Sequence, residues 1–206
     1  MTRNNLPLWT MQDDNEEESG GDRKDQTGLM EKMLKTRNIL LSGEIDKSLA
    51  ERVVRQLLLL EDLNDEPIHL FIDSPGGDAD AGFAIFDMIR FVKPAVFTIG
   101  MGLVASAGAL ILLAADKKHR RGLPNSHYLI HQPLSGMRGV ATDIEIHAKE
   151  IERMRGRINH LISGETGKPL EQVEKDTDRD FWMNSDEAKE YGLISGIITG
   201  RNELEA

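Results

Sequence analysis

Short apolar runs alternate with longer runs of helical periodicity from residue 29 onward. The predicted strands are NILLSG, IHLFID, PAVFTIGMG and HYLIH, and the predicted helices are SLAERVVRQLLLLEDL, AGFAIFDMIRFV and SAGALILLAA. Strands that alternate with helices pair in parallel, because each helix returns the chain to the starting edge of the sheet. The pattern therefore predicts an α/β fold with a largely parallel sheet.

The clearest helix follows the last of these strands. Thr142 and Glu145 form a T-x-x-E pattern, which predicts a capping box at the start of the helix. One apolar stripe continues from there, formed by Ile144, Ala148, Ile151, Ile158 and Leu161. Gly164 and Gly167 predict its end, so the helix covers about residues 142–163. Because it is long for a small domain, we expect it to project and to pack on another subunit.

The chain of 206 residues, 39% of them hydrophobic, is long enough for one domain with a sizeable core. Residues 1–28 differ in character, since the run DDNEEESGGD is polar and acidic and buries little apolar surface. We expect a mobile N-terminal segment there, and a single domain over residues 29–206.

Charge and composition exclude several classes of function. The formal net charge of -10 disfavours nucleic acid and anionic membranes as partners. The absence of cysteine excludes disulfides, zinc thiolate sites and a cysteine nucleophile. The apolar run over residues 103–115 is too short to span a bilayer, and the N-terminus lacks the apolar core of a secretory signal. We therefore expect a cytoplasmic protein.

Ser106 is the one hydroxyl in the apolar segment MGLVASAGAL. Burying it without a partner costs on the order of a few kcal/mol, so its presence needs a reason. As a nucleophile it has small neighbours that admit a substrate backbone, and a helix beginning there leaves the amide of Ala107 free to bind an oxyanion. The alternative is a serine that caps a buried helix, and this stretch alone favours it.

Three further segments supply the remaining groups for serine acyl transfer. In SPGGD, the adjacent Gly76 and Gly77 either provide a second oxyanion donor or form a tight turn. In LIHQPL, His131 is either a base facing a cleft or a core histidine. In EKDTDRDFWMNSDE, Asp180 is either an inward carboxylate covered by the apolar FWM or part of a solvated turn. Separately each signal is weak, but together they supply Ser, His, Asp and an oxyanion site.

A metal site is not expected. The acidic segment imitates a calcium loop, but Phe181 stands where such a loop requires glycine. His127 and His131 lie four residues apart on one strand, which is weak evidence for a metal site without thiolates.

Four segments together resemble the proteolytic subunits of the ATP-dependent Clp proteases. They are FIDSPGGDADAGFAIFD, MGLVASAGA, LPNSHYLIHQPLSGMRGVATDIEIHAKEI and DTDRDFWMNSDEAKEYGLI, and the resemblance runs over about residues 33–198. It implies a crotonase-like α/β fold, in which a head domain with largely parallel sheets carries a projecting handle helix at about residues 142–163.

The resemblance also implies an activity and its partners. The chain would be a serine endopeptidase that hydrolyses unfolded proteins inside a chamber of two stacked heptameric rings. An AAA+ unfoldase of the ClpX, ClpA or ClpC type would deliver the substrates and use the ATP, so this chain itself would need no cofactor. The implied site residues are Ser106 as nucleophile, His131 as general base, Asp180 as orienting carboxylate, and the amides of Gly77 and Ala107 as oxyanion donors.

For unfoldase docking, the resemblance implicates His69, Phe71 and Phe91. His69 stands where many relatives have tyrosine, so we hypothesise weaker or pH-sensitive docking, since histidine titrates near neutral pH. An unfoldase affinity that is constant between about pH 6 and 8 would contradict this hypothesis. The N-terminal segment also departs from the family pattern, which leaves gating and partner choice open.

Two alternatives stay open beside an active peptidase. One is a catalytically silent ring subunit that requires an active paralogue. The other is a crotonase-type acyl-CoA enzyme on the same fold, which would use two oxyanion amides without a serine nucleophile. Peptidase activity of the chain alone would distinguish an active peptidase from a silent subunit. A serine-directed acylating probe would distinguish it from a crotonase-type enzyme, which should not be labelled.

Overall fold

The computed structural model describes residue 28 and residues 32–204. The chain divides into two compact units between Thr36 and Arg37. In the first unit, residues 32–35 form one helical turn, and the Thr36 amide donates to the Lys32 carbonyl at 3.2 Å. The predicted acidic segment lies outside the described residues except for residue 28, so its boundary at residue 28 stays a prediction.

Seven strands and six α-helices occur between residues 37 and 204. In chain order they are β1 (Asn38–Ser42), α1 (Lys47–Leu63), β2 (Ile68–Ser74), α2 (Ala79–Phe91), β3 (Val96–Ala105), α3 (Ala107–Leu112), β4 (Arg120–Gly122), β5 (His127–Ile130), α4 (Ala141–Thr166), α5 (Leu170–Asp176), β6 (Phe181–Asn184), α6 (Ser185–Tyr191) and β7 (Gly196–Ile197). Short 3-10 helices at Lys117–His119 and Arg201–Glu203 complete this part of the chain.

The strands form one sheet in which β1, β2, β3, β4 and β7 are parallel neighbours in that order. This confirms the predicted α/β fold with a largely parallel sheet. Residues Ile68, His69 and Leu70 are all buried, although successive side chains point to opposite faces of a strand. Both faces of β2 are therefore covered, as expected of a parallel sheet.

The long strand β3 has two different neighbours along its length. Its first half pairs with β4, while Leu103, Val104 and Ala105 pair in parallel with β5. The strand continues beyond the end predicted at Gly102, because Asp73 Oδ1 accepts from the Leu103 amide at 3.0 Å across an irregularity in the register. The carboxyl ends of β3 and β5 consequently lie at the same edge of the sheet.

The sequence patterns did not predict β4, β6, β7, α5 or α6. These elements contain between two and seven residues. Such lengths hold too few residues to display a hydrophobic period. No helix among residues 32–204 is long and apolar enough to cross a membrane.

Helix α4 has 26 residues and is mostly exposed. Its buried residues lie only in the C-terminal third, and they are Ile158, Asn159, Ile162 and Thr166. The helix therefore projects from the rest of the unit, as predicted, and it ends at Gly167. The predicted capping box is wrong, because the N-cap is Val140 and Thr142 is already inside the helix, where its hydroxyl caps no amide.

The last turn of α4 is tied to the sheet by a buried cation. The Arg120 side chain on β4 is only 1% exposed, and its Nη2 pairs with Glu165 Oε2. Its Nε donates to the Ala115 carbonyl at 2.8 Å, and Glu165 Oε1 also pairs with Arg90 of α2. Burial opposes the ionisation of Glu165, but hydrogen bonds from both arginines outweigh it and lower the pKa of its carboxyl.

We expect Glu165→Gln to lower the free energy of unfolding by about 3 kcal/mol at pH 7, because the buried Arg120 loses its counter-charge. The pKa of Glu165 is lowered in the folded state, so its contribution is complete above the unfolded pKa of about 4.3 and is lost as the pH falls through the folded value. The difference between wild type and variant should therefore shrink in acid.

Urea unfolding at pH 7 and at pH 3.5, at equal protein concentration, measures this difference. Glu150→Gln on the same helix is the control, since Glu150 pairs with Arg153 at the surface. Equal destabilisation by the two variants would contradict the assignment.

Candidate active site

A cavity of about 580 Å³ lies at the edge where β3 and β5 end. Ser106, Ala107, Gly76, Gly77 and His131 all line it. Its apolar wall is formed by Leu110, Ile130, Pro133, Leu134, Ile158 and Ile162. Four of the five predicted catalytic and oxyanion residues therefore share one cavity.

Ser106 occupies the sharp turn between β3 and α3. Its φ of 55° and ψ of -121° place a non-glycine residue in a conformation that costs about 1–3 kcal/mol. Two sets of hydrogen bonds hold it: its amide donates to the Leu129 carbonyl at 2.9 Å, and its carbonyl accepts from the amides of Ala109 and Leu110. The neighbouring strand and the new helix thus fix the backbone of this serine.

The alternative role of Ser106, a hydroxyl that caps the helix, is wrong. Ser106 is the N-cap residue of α3, but its side chain makes no capping hydrogen bond. Its position leaves the hydroxyl available at the cavity that Ser106 lines.

Two adjacent glycines approach this turn from β2. A Cβ on Gly76 would lie 2.6 Å from the Ser106 Cβ, and one on Gly77 would lie 2.2 Å from the Ile45 carbonyl oxygen. Gly76 also has a φ of 95°, which side chains rarely permit. A side chain at position 76 would therefore displace the turn that carries Ser106, and one at position 77 would displace the backbone of Ile45.

Gly77 and Ala107 line this cavity, and their backbone amides have no hydrogen-bond acceptor among residues 32–204. Ile45 forms an isolated β-bridge with Gly77. The Ile45 amide donates to the Gly76 carbonyl at 2.8 Å, and the Ile45 carbonyl accepts from the Asp78 amide at 2.7 Å. Neither bond uses the Gly77 amide. The amide of Ala107 is the first of α3 and has no partner inside the helix. Within residues 32–204 neither amide donates to a backbone carbonyl. Two backbone amides that point at the same oxygen stabilise negative charge that develops on it.

His131 and Asp180 are brought together by the one antiparallel pairing in the sheet. Strand β5 pairs with β6, and Ile130 lies opposite Phe181. The next residues in this register are His131 and Asp180, and His131 Nδ1 lies 3.6 Å from Asp180 Oδ1. The Gln132 amide donates to the Thr177 carbonyl at 2.6 Å, which holds the two chain segments together beyond the ladder.

The expected burial of Asp180 is wrong. Its side chain is 63% exposed, whereas that of His131 is 14% exposed. The FWM run does not cover it, because side chains alternate along β6: Met183 points into the core, and Trp182 is exposed. Within residues 32–204 no hydrogen bond joins Ser106 Oγ to His131, an open arrangement that occurs in ligand-free active sites.

The three residues assigned to docking have different environments. His69 is buried and its ring centroid lies 5.5 Å from that of Phe97. Phe71 packs against the buried cluster that contains Phe97. Phe91 is the last residue of α2 and is 74% exposed.

Sequence reasoning missed the part that α4 plays in the cavity. Ile158 and Ile162 belong to the buried base of this helix and line the cavity beside Ser106. The apolar stripe predicted from the sequence includes Ile158 but not Ile162, although their four-residue spacing places both side chains on one helical face. Among residues 32–204 no cluster of three or more potential metal ligands occurs.

Comparison with known proteins gives consistent matches. The profile of the family described as Clp protease matches residues 21–201. The ATP-dependent Clp protease proteolytic subunit 2 of Treponema denticola is 63% identical over 189 residues, covering 91% of this chain and 94% of that protein. The subunit 2 of Pseudomonas aeruginosa is 45% identical over 196 residues, covering 94% of this chain and 98% of that protein.

A solved structure matches as well. A mutant of ClpP1 from Listeria monocytogenes superposes with a TM-score of 0.80 at 52% identity. The match covers 85% of this chain and 99% of that chain.

We expect Gly76→Ala to slow the labelling of Ser106 by a fluorophosphonate at least tenfold, because the added methyl group would lie 2.6 Å from the Ser106 Cβ. Gly164→Ala is the control, since a Cβ there has no atom within 4 Å. The labelling rate is measured by intact-protein mass spectrometry. Equal rates for Gly76→Ala and wild type would contradict the close approach of the two turns.

Proposed function

Since the chain is a proteolytic subunit of the Clp protease family, with that family's crotonase-like α/β fold, we propose that it is a serine endopeptidase. The proposed catalytic residues are Ser106, His131 and Asp180. One observation carries the proposal. Ser106 is held in a strained turn on the same cavity as His131 and two unused amides. This is the set of groups that acyl transfer to a hydroxyl requires.

His131 is the proposed base. Its Nδ1 faces Asp180, so its Nε2 is left to take the proton from Ser106 Oγ. The deprotonated oxygen attacks the carbonyl carbon of a peptide bond, and the electron pair of the C=O bond moves onto its oxygen. Asp180 keeps the imidazole in the required tautomer and stabilises the imidazolium that forms.

The amides of Gly77 and Ala107 are proposed to receive the resulting oxyanion. Removing one such donor typically costs about 10² to 10³ in rate. When the oxyanion collapses, the C–N bond breaks, and His131 gives its proton to the leaving amine. Water activated by the same histidine then hydrolyses the acyl-enzyme, which restores Ser106. Every step uses groups of this chain, and ATP hydrolysis belongs to the partner unfoldase.

We propose that the chain works in two stacked heptameric rings. The exposed part of α4 and the segment before it bear apolar side chains that a second subunit would cover. They are Leu134, Met137, Val140, Ile144 and Ile146. Exposed apolar patches of this kind mark protein interfaces.

An AAA+ unfoldase would deliver unfolded protein, and the exposed Phe91 is the proposed contact at its docking site, together with Phe71. A cytoplasmic location stays a prediction.

The rival function is a ring subunit that is silent without a paralogue. One observation of the structure favours it. The Asp180 side chain is 63% exposed, so it holds the His131 imidazole less firmly than a buried carboxylate would. The relatives from Treponema and Pseudomonas are also named as subunit 2, which fits a cell with a further proteolytic subunit. In that case a neighbouring chain would have to complete the alignment of the site.

We expect Ser106→Ala to lower the hydrolysis of a short fluorogenic peptide at least about 1,000-fold while leaving particle size unchanged, because the nucleophile is lost and the fold is not. Ser48→Ala, at an exposed position on α1, is the matched control and should keep full activity. Sizing by multi-angle light scattering accompanies each assay. Peptidase activity that survives in Ser106→Ala would contradict the proposal.

The assay of the wild-type chain alone decides between the two functions. A particle near fourteen subunits with Ser106-dependent cleavage supports a self-sufficient peptidase. A single ring, or an assembled particle that cleaves only after a second proteolytic subunit is added, supports the rival.

A further inference from the structure

Two carboxylates line the cavity that contains Ser106. Glu44 and Asp78 both border it, together with Gly76 and Gly77, and no lysine or arginine is among the described residues that line it. Neither carboxylate forms an ion pair with a residue between 32 and 204. The apolar wall from α3 and α4 accompanies these charges in the same cavity. One part of the cavity is therefore apolar, and another part carries two carboxylates that have no ion-pair partner among residues 32–204.

The backbone of Glu44 is fixed on both sides. The Gly43 amide donates to the Asp73 carbonyl at 3.0 Å, and the Ile45 amide donates to the Gly76 carbonyl at 2.8 Å. Glu44 itself is exposed, so its side chain extends from a rigid support into the solvent at the cavity. Glu44 thus lines the same cavity as Gly76, the glycine that approaches Ser106.

The Asp78 carboxylate is fixed by its own helix. Asp78 is the N-cap of α2, and its Oδ1 accepts from the Ala81 amide at 2.7 Å. That hydrogen bond orients the carboxylate but does not neutralise it, since an amide carries no formal charge. The second oxygen remains a potential acceptor for a cation.

We propose that Glu44, supported by Asp78, selects substrates with a lysine or arginine side chain close to the bond that Ser106 cleaves. This inference rests on the proposed function and names the substrate class of the same site. A long basic side chain near an exposed carboxylate gains a moderate attraction, and an acidic one is repelled. Because exposed ion pairs are weak, the expected preference is about two- to five-fold in kcat/KM.

The test uses the assembled full chain and a set of fluorogenic peptides. Each peptide carries lysine, norleucine or glutamate at one of the three positions on either side of the cleaved bond. We expect at least one position where lysine exceeds norleucine and glutamate is the poorest. At that position Glu44→Gln should reduce the ratio of kcat/KM for the lysine peptide to kcat/KM for the glutamate peptide at least two-fold. Glu44→Lys should reverse the preference, so that the glutamate peptide is cleaved better.

Glu174→Gln on α5 is the matched control, since it removes one exposed carboxylate that does not line the cavity, and it should keep the wild-type ratio. Salt gives a second reading, because the Debye length falls from about 10 Å at 0.1 M to about 3 Å at 1 M. The wild-type preference should therefore weaken in 1 M salt, while the Glu44→Gln ratio changes less.

A binding measurement makes the test independent of turnover. In the Ser106→Ala background, labelled lysine and glutamate peptides should differ in affinity, and Glu44→Lys should reverse the order. If the chain hydrolyses peptides but no Glu44 variant alters the kcat/KM ratio of lysine to glutamate peptides, this inference is overturned and the proposed function is not. A wild-type chain that hydrolyses no peptide, alone or with an added proteolytic subunit, would overturn the proposed function and the inference with it.

Discussion

Gly76 and Ser106 belong to two different strand-to-helix turns, yet a Cβ on Gly76 would lie only 2.6 Å from the Cβ of Ser106. The close approach requires glycine at position 76, and the backbone hydrogen bonds of Ser106 hold its strained φ of 55° on the other side. It also places the unused amides of Gly77 and Ala107 on the cavity that contains the hydroxyl. The positions of the proposed nucleophile and of the proposed oxyanion donors are thus one geometric consequence of how β2 and β3 end.

The remaining two site residues depend on a departure from the parallel sheet. Strand β6 returns antiparallel to β5, so that the residue after one strand faces the residue before the other. His131 and Asp180 meet for this reason, at 3.6 Å. Asp180 is exposed, and among the described residues no hydrogen bond joins Ser106 Oγ to His131. The side chains of the site are therefore adjacent without being aligned by hydrogen bonds. In the proposed ring, a neighbouring subunit would cover the exposed apolar residues on the segment that follows His131 and could order the site.

Helix α4 connects the site to that proposed interface. Its base supplies Ile158 and Ile162 to the cavity wall, while its first four turns are largely exposed. The pair between Glu165 and the buried Arg120 anchors the base to β4. The same helix therefore carries part of the cavity wall, the anchored base and the exposed part that a second subunit would cover in the proposed ring.

The sequence by itself determined the alternation of strands and helices, the long projecting helix and the residue types of the site. These follow from local periodicity and from motifs such as SPGGD and LIHQPL. It did not determine β6, the exposure of Asp180 or the start of α4 at Ala141 instead of Thr142. A four-residue strand has no readable period, and its partner β5 is distant in the chain. Only the tertiary structure decided which side chains share the cavity, because Glu44, Ser106 and Ile162 meet through the packing of separate elements.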